Sequence, residues 1–349
     1  MKKHLITVAV LSALAAPAAM AADIITMYGQ VNLGYSYNDN YGITEKMHRI
    51  DGMGPSSRIG FRGTEQLGDD MSAFFQLEST IAPDDASASG AFGTREAWVG
   101  LSGKSWGSIG LGRGKTPYTN AVELLDNAMD GRLGLAYYEV DKGITRYNNT
   151  VKYTSPNLSG FVGTLMLATG ENGDSSKPNA EVKNTFNYAM HLNYKTGPVM
   201  LVGAYANEAN VGGVYNRDNE SFFVGGEYMA QDWFVHAGLQ HLKKDNVDAK
   251  TSHWKRTSFG LNGGYYLDKK NLIRAGFIYG DKYKSTTPAG VSTSIADSQY
   301  VQWQVGYKYL FSKRTSFVTE YGSINYGDHK VYKLNTDPKV FSVGILHAF

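Results

Sequence analysis

The sequence predicts an all-β protein, a sixteen-stranded antiparallel transmembrane β-barrel. Three observations lead to this prediction. The chain begins with an export segment, it contains alternating apolar and polar runs long enough to cross a membrane as strands, and its connections alternate between short and long.

Residues 1–21 have the composition of a secretory signal peptide. Two lysines precede the apolar stretch Leu5–Ala16, and the small-residue site Ala19–Ala21 follows it. The apolar stretch is too short for a permanent membrane anchor, which is the alternative for such a segment. We therefore expect cleavage after this segment and a mature barrel formed by residues 22–349.

Composition excludes several classes of protein. The chain has 34 basic and 32 acidic residues, and loss of two signal lysines leaves 34 − 2 = 32 basic residues, so the mature protein is formally neutral and nucleic acid is not an expected partner. It has no cysteine, so neither disulfides nor thiolate metal sites can form. We expect no metal and no cofactor. With 40 Gly, 24 Tyr and 15 Phe, composition fits a membrane barrel or a large soluble β protein equally well.

The alternation of apolar and polar side chains along the strands favours a membrane barrel over a soluble β protein. Residues 186–194 and 301–309 alternate strictly between apolar and polar or small side chains over nine residues. Strands of soluble sandwiches usually have about five or six residues, whereas tilted transmembrane strands need about nine to eleven. The segment 340–349 ends the chain with the aromatic Phe349. In lipid this strand needs a partner, and closure predicts pairing with the strand that begins near Ile25.

Sixteen such segments can be assigned along the chain. They are 25–37, 56–65, 71–80, 94–102, 107–113, 143–154, 160–169, 185–194, 199–207, 220–229, 233–242, 254–266, 271–281, 297–310, 315–326 and 340–349. Seven short connections alternate with eight long ones. An even-numbered barrel has short turns on one side and long loops on the other, whereas a sandwich has no reason to alternate in this way.

Several short motifs occur in a distinctive order and spacing: Met27–Gln30, Ser57–Gly68, Arg95–Leu101, Gly110–Arg113, Arg146–Asn149 and Tyr153–Pro156, together with the terminal Phe349. In this order and spacing they resemble the general porins of Gram-negative bacteria, especially the neisserial and β-proteobacterial branch. The resemblance implies an outer-membrane homotrimer of water-filled barrels that let ions and small hydrophilic solutes diffuse passively. It also implies outer-membrane lipid and lipopolysaccharide as surroundings, and a barrel-assembly machinery that reads Phe349.

The resemblance further implies that the third long loop, here about 114–142, folds inward and narrows the channel. This loop carries Glu123, Asp126 and Asp130. It lacks the Pro-Glu-Phe-Gly-Gly-Asp signature of enteric porins, so these acidic positions are expectations from composition and not from a matched motif.

Strand parity predicts part of a basic wall opposite that loop. Ile59 and Phe61 are expected to face lipid, which turns Arg58 and Arg62 towards the lumen. Opposed charges across a narrow aqueous gap create a transverse field that favours polar solutes. The alternative is that these arginines are solvated lumen residues that only stabilise the wall.

Three further arginines are candidates for the same wall. Arg146 is expected to face inward because Tyr147 is expected to face lipid. Arg95 and Arg113 share the parity of lipid-facing neighbours, so each must lie at a strand end or past a bulge to turn inward. The resemblance, and not parity, assigns these two residues to the wall.

Two other classes of function remain open. An outer-membrane barrel enzyme, a lipase or a protease, would need a nucleophile or a carboxylate beside a positioned histidine. The nearest candidate is His191 with Asn193 on one lumen-facing parity, and no serine is tied to them by sequence. An adhesin acting through the long loops is compatible with a channel.

Overall fold

The computed structural model describes most of the chain in ten segments. They are residues 25–39, 46–54, 56–84, 92–126, 146–169, 186–209, 218–245, 253–287, 289–327 and 337–349. The expected signal peptide, residues 1–21, lies outside them.

The described segments form nineteen strands and one helix. The first ten strands are β1 (Thr26–Asp39), β2 (Lys46–Asp51), β3 (Arg58–Gly68), β4 (Met71–Thr80), β5 (Glu96–Gly103), β6 (Gly107–Lys115), β7 (Arg146–Thr154), β8 (Phe161–Thr169), β9 (Phe186–Thr196) and β10 (Val199–Glu208). The others are β11 (Asn219–Met229), β12 (Trp233–Asp245), β13 (His253–Tyr266), β14 (Asn271–Gly280), β15 (Lys284–Thr286), β16 (Ser292–Ser294), β17 (Tyr300–Leu310), β18 (Thr315–Tyr326) and β19 (Lys339–Ala348). Helix α1 spans Pro117–Asp126.

The barrel wall has sixteen antiparallel strand positions, although the described residues form nineteen strands. This confirms the predicted fold class. β2 and β3 pair with successive parts of β1 and together occupy one strand position in the wall. β15 and β16 form a small hairpin beyond the wall, while β14 pairs directly with β17. The barrel closes where β1 pairs with β19, with Gln30 opposite Ala348. No free sheet edge is left along this seam, as a membrane interior requires.

The two faces of the wall have opposite character. On β14, every second residue is exposed, including Ile273 and Phe277, and the alternate residues Arg274 and Gly276 are buried. Exposed side chains on the outer face are large and apolar all around the wall, the reverse of a soluble protein. The outer face therefore contacts lipid, and the polar side chains line the inside.

Aromatic pairs lie on the outer face close to the short turns. Phe161 stacks on Tyr194 with ring centroids 4.3 Å apart, and Tyr228 stacks on Trp233 at 5.1 Å. Such amphipathic rings are typical of the membrane–water interface. Within the described residues, no helix is long and apolar enough to cross a membrane.

Candidate pore constriction

Helix α1 begins at a well-formed cap directly after β6. The Thr116 hydroxyl oxygen accepts a hydrogen bond from the backbone N–H of Thr119 at 3.1 Å. Pro117 occupies the first helical position, where its fixed φ suits the helix and its missing N–H costs nothing. The chain therefore turns abruptly from a strand of the wall into a helix.

The helix packs against the inner face of later strands. The Nε2 of Gln240 in β12 donates to the Tyr118 hydroxyl at 2.5 Å, and the Nδ2 of Asn262 in β13 donates to the Leu125 carbonyl at 2.5 Å. The Nδ1 of His191 in β9 lies 3.0 Å from the Pro117 carbonyl oxygen. These three polar contacts fix both ends of the helix against one side of the lumen.

Apolar contacts fill the space between these anchors. Leu125 is buried, and its side chain lies over Gly238 and Gly260, which are opposite each other in β12 and β13. A Cβ at Gly260 would come within 2.8 Å of the Leu125 side chain. The two glycines therefore provide a flat site for the helix. Residues 127–145, which include most of the predicted third long loop, lie outside the described segments.

On another part of the inner wall, one carboxylate forms ion pairs with two of the predicted arginines. The Glu78 carboxylate of β4 lies 2.7 Å from Nε of Arg95 and 3.7 Å from Nε of Arg58. The Arg95 backbone N–H also donates to the Glu78 carbonyl at 2.9 Å. Glu78 is only 7% exposed. Arg95 precedes β5 and is not part of it, so the parity of that strand does not apply to it.

Arg146 and Arg113 reach the same region through the backbone around Arg95. The Arg146 Nε donates to the Arg95 carbonyl at 3.0 Å, and the Arg113 Nε donates to the Thr94 carbonyl at 2.9 Å. A further Arg113 nitrogen donates to the side chain of Asn148. The structure thus gathers four of the five candidate arginines around residues 94 and 95.

Arg62 lies apart from this group. It is four residues beyond Arg58 along β3 towards the short turn, and its guanidinium carbon is 5.1 Å from the centre of the Tyr28 ring. The structure therefore places it nearer the short-turn mouth than Arg58.

The expected orientation of Tyr147 is wrong. Tyr147 is 3% exposed and belongs to the buried cluster that includes Leu125, although parity placed it on the lipid face. The register between β6 and β7 shifts between Gly112 and Gly114, and Asn149 has a positive φ of 53°. This irregularity reverses the parity before Thr150, so the argument that turned Arg146 inward from Tyr147 does not hold. Arg146 is instead placed by its hydrogen bond to residue 95.

The acidic candidates are only partly described. Glu123 lies on the helix, and its carboxylate is 2.5 Å from Nζ of Lys115. Asp126 is the last residue of helix α1, but its side chain lies outside the described part of the structure. Asp130 lies outside the described residues.

Sequence reasoning missed several charged residues beside the site. Glu78, Glu96 and Lys152 all have the inward parity of their strands, and that signal could have identified them. Glu96 accepts hydrogen bonds from Nε1 of Trp98 at 2.6 Å and from the Lys115 backbone N–H at 3.0 Å. The Lys152 ammonium lies 3.8 Å from the centre of the Trp98 ring, a cation–π contact.

Comparison with known proteins places this barrel in a family. The model of the Gram-negative porins matches residues 7–329. The chain belongs to this family. It is 28% identical to the major outer membrane protein P.IB of Neisseria sicca, over 94% of this chain and 95% of that protein. It is 30% identical to the outer membrane porin protein 32 of Delftia acidovorans, over 95% of this chain and 90% of that protein.

Solved structures share the same fold. The anion-selective porin from Comamonas acidovorans has a TM-score of 0.78 at 22% identity, covering 94% of this chain and all of that one. A trimer form of OmpT from Vibrio cholerae has a TM-score of 0.65 at 14% identity and covers 94% of this chain. The protein is thus a porin of the Gram-negative outer membrane, a water-filled channel for passive diffusion of ions and small hydrophilic solutes. The family indicates a channel and not an enzyme.

Proposed function

We propose that the porin selects solutes by charge at a constriction between helix α1 and the basic wall, and that it favours anions. The basic wall is the group Arg58, Arg95, Arg113 and Arg146. The observation that carries the proposal is the sharing of Glu78 between Arg58 and Arg95, while Arg113 and Arg146 donate to backbone carbonyls. Four guanidinium groups therefore converge around residues 94 and 95, and the Glu78 carboxylate forms ion pairs with two of them.

The helix side contributes less net charge than the basic wall. Glu123 is paired with Lys115, and it also interacts electrostatically with Arg58. A positive wall facing a nearly neutral pair leaves an excess positive potential in the gap. Fields persist over a Debye length of roughly 8 Å at physiological salt, so such an excess acts across a narrow pore. Asp126 and Asp130 are proposed as further acidic residues of the constriction loop, and Arg62 as a weaker contributor nearer the short-turn mouth.

Current through single channels tests this proposal. We expect a reversal potential in a KCl gradient that indicates preference for chloride, and a preference that weakens as the salt concentration rises. A potassium-selective or non-selective pore would overturn the proposed selectivity and leave the family assignment intact.

We also propose that the protein assembles as a homotrimer and has no catalytic activity. Porins of the same fold include a trimer form, which supports the first point. His191, the nearest catalytic candidate, contacts the Pro117 carbonyl and the Asn193 amide, neither of which is a nucleophile. We expect a heat-sensitive oligomer in cold SDS, and lipase and protease assays equal to a buffer blank. A band that migrates identically before and after boiling would contradict the assembly.

Phe349 is proposed as an assembly signal recognised by the barrel-assembly machinery. Its backbone N–H donates to the Gly29 carbonyl at 3.0 Å, so the residue also completes the β1–β19 seam. Deletion of Phe349 should lower the amount of folded porin in the membrane at low expression. Refolding of the same variant into detergent measures the effect on barrel closure alone, so a loss in the membrane that exceeds the loss on refolding distinguishes recognition from barrel stability. Unchanged membrane levels would remove the proposed role.

A further inference from the structure

A half-buried carboxylate, Glu96 of β5, lies at the point where the chain leaves the barrel wall to form helix α1. The backbone ladder between β5 and β6 ends with the pair Ala97–Arg113, two residues before the end of β6. The backbone N–H of Lys115, the last residue of β6, donates to Oε1 of Glu96 at 3.0 Å. A side chain of β5 therefore holds the backbone where the ladder has ended, one residue before the helix cap at Thr116.

The Glu96 carboxylate is itself held by the wall. Its second oxygen, Oε2, accepts a hydrogen bond from Nε1 of Trp98 at 2.6 Å, and Trp98 is buried. The Lys152 ammonium, 3.8 Å from the centre of the Trp98 ring, also interacts electrostatically with Glu96. The carboxylate lies directly over Gly114, because a Cβ at that position would collide with Oε2. Glu96 is thus a fixed acceptor, and Gly114 leaves the space that it occupies.

Lys115 connects this acceptor to the helix in two ways. Its backbone is bound to Glu96, and its Nζ lies 2.5 Å from the carboxylate of Glu123 on the helix. The polar anchors on β9, β12 and β13 tie the helix to one side of the lumen. Glu96 ties the start of the helix to the other side, next to Arg95 of the basic wall. The gap between helix and basic wall is therefore bounded by contacts at both sides.

We propose that Glu96 is a positioning residue, which fixes the direction in which helix α1 leaves the wall and thereby sets the aperture of the constriction. An ionised acceptor suits this role, because its hydrogen bonds are shorter and stronger than those of a neutral acceptor. The inference rests on the proposed location of the constriction beside helix α1, and it is independent of the proposed preference for anions. Its test therefore measures conductance levels, and reversal potentials serve to separate charge from position.

Single-channel recordings of three variants of the full-length porin test the proposal. Glu96→Ala removes both the charge and the acceptor oxygens. Glu96→Gln removes the charge and retains an oxygen that can accept from the Lys115 N–H. Gly114→Ala retains every charge and places a methyl group at the position of Oε2, so the carboxylate is displaced. Loss of a hydrogen bond to a charged group should raise the time spent at conductance levels other than the parental open level by about tenfold.

We expect the two measurements to group the variants differently. Time at altered conductance levels should rise in Glu96→Ala and Gly114→Ala, and much less in Glu96→Gln. The reversal potential should shift equally towards chloride in both Glu96 variants and stay at the parental value in Gly114→Ala. Gly110→Ala is the matched control on the inner face of β6, because the atom nearest to a Cβ there is on the Phe74 ring at 3.3 Å. This control should behave like the parent.

Heat-sensitive migration in SDS checks folding of each variant. Equal time at altered levels in Glu96→Ala and Glu96→Gln would overturn the proposal, because loss of charge would then explain the whole effect. Parental conductance levels in the folded Gly114→Ala variant would overturn it as well. Conductance levels are recorded in symmetrical salt, so they are independent of ion preference. A parent pore that does not prefer chloride would therefore contradict the proposed selectivity and leave this test of Glu96 intact.

Discussion

The ring of Phe349 occupies the space beside Gly29 on the outer face of the barrel. A Cβ built on Gly29 would lie 2.6 Å from the Phe349 ring and 2.5 Å from the Arg58 carbonyl oxygen. The Gly29 N–H donates to the Phe349 carbonyl at 3.1 Å, and the Phe349 N–H donates back at 3.0 Å. An aromatic side chain that covers a glycine of the neighbouring strand protects its backbone and fixes the register. Pairing of β1 with β19 therefore requires that residue 29 has no side chain.

Gly29→Val should impair closure of the barrel. The new side chain collides with the Phe349 ring and with backbone, and overpacking of this kind typically costs about 1–3 kcal/mol. We expect a lower yield of heat-sensitive folded porin after refolding. Gly203→Val is the matched control, because Gly203 has the lipid-facing parity of β10 and nothing lies within 4 Å of a Cβ there. Equal yields from the two variants would show that the contact does not limit closure.

Arg58→Ser with Arg146→Ser should shift selectivity towards cations. The double change removes two positive charges from the basic wall and leaves the lipid face untouched, so the barrel should still fold. The shift in reversal potential should be largest at low salt, because screening shortens the range of the remaining field. Arg314→Ser, which changes a charge at a short turn, should leave the reversal potential at its parent value. If the double variant has the same reversal potential at low salt as the parent and the Arg314→Ser control, the basic wall does not line the narrowest part of the pore.

Glu78→Gln should move selectivity in the opposite direction. The change removes the carboxylate that pairs with Arg58 and Arg95 and leaves an amide of the same size, so the excess positive potential should rise. We expect a reversal potential closer to that of chloride than in the parent. A shift towards potassium would mean that Glu78 acts mainly by holding the two arginines in position.

Asp70 should make the stability of the short-turn end depend on pH. Its carboxylate accepts hydrogen bonds from the Ser105 hydroxyl at 2.5 Å and from the Lys104 N–H at 2.8 Å. The Ser105 hydrogen bond is the largest cause of a pKa below the ordinary value of 3.8 for Asp70. A lowered folded-state pKa contributes stability above the ordinary value, which is lost as the pH falls through the folded-state pKa.

The measurement is the heat-dissociation temperature of Asp70→Ala relative to the parent. The variant should be less stable at pH 7, and the difference should shrink once the pH drops below 3.8, the ordinary pKa. Asp69→Ala changes the neighbouring exposed carboxylate and should show a smaller difference at pH 7. A difference between Asp70→Ala and the parent that is constant from neutral to acid pH would argue against this role of ionised Asp70.

The barrel could be predicted because its signal is local. Regular wall strands such as β14 repeat with a period of two, and on β14 the predicted range 271–281 and the observed Asn271–Gly280 differ by one residue. β2 was missed because residues 46–51 fall inside a predicted loop, 38–55, and pair with β1 only as an extension of β3. The loop hairpin of β15 and β16 was missed for a similar reason, since strands of three residues are too short for a periodic pattern.

The site was harder to predict because it depends on irregular backbone. Parity predicted the inward direction of Arg58 but failed at Tyr147. β7 has one extra residue opposite the part of β6 that follows Gly112, and the sequence pattern does not reveal it. The start of helix α1 did have a local signal, because Thr116 followed by Pro117 is typical of a helix N-terminus. This signal is independent of the strand periodicity on which the prediction was based. The sharing of Glu78 joins residues from three strand regions and is visible only after folding.

Helix α1 rests on strands that come after it in the chain. Its polar anchors on β9, β12 and β13 are 74, 122 and 137 residues away from their partners in the helix. Until those later strands are in place, the helix lacks its three polar anchors. The proposed constriction is therefore a property of the completed barrel and not of the segment that contains the helix. Docking of the helix must therefore follow the placement of β9, β12 and β13, although the helix precedes all three in the chain.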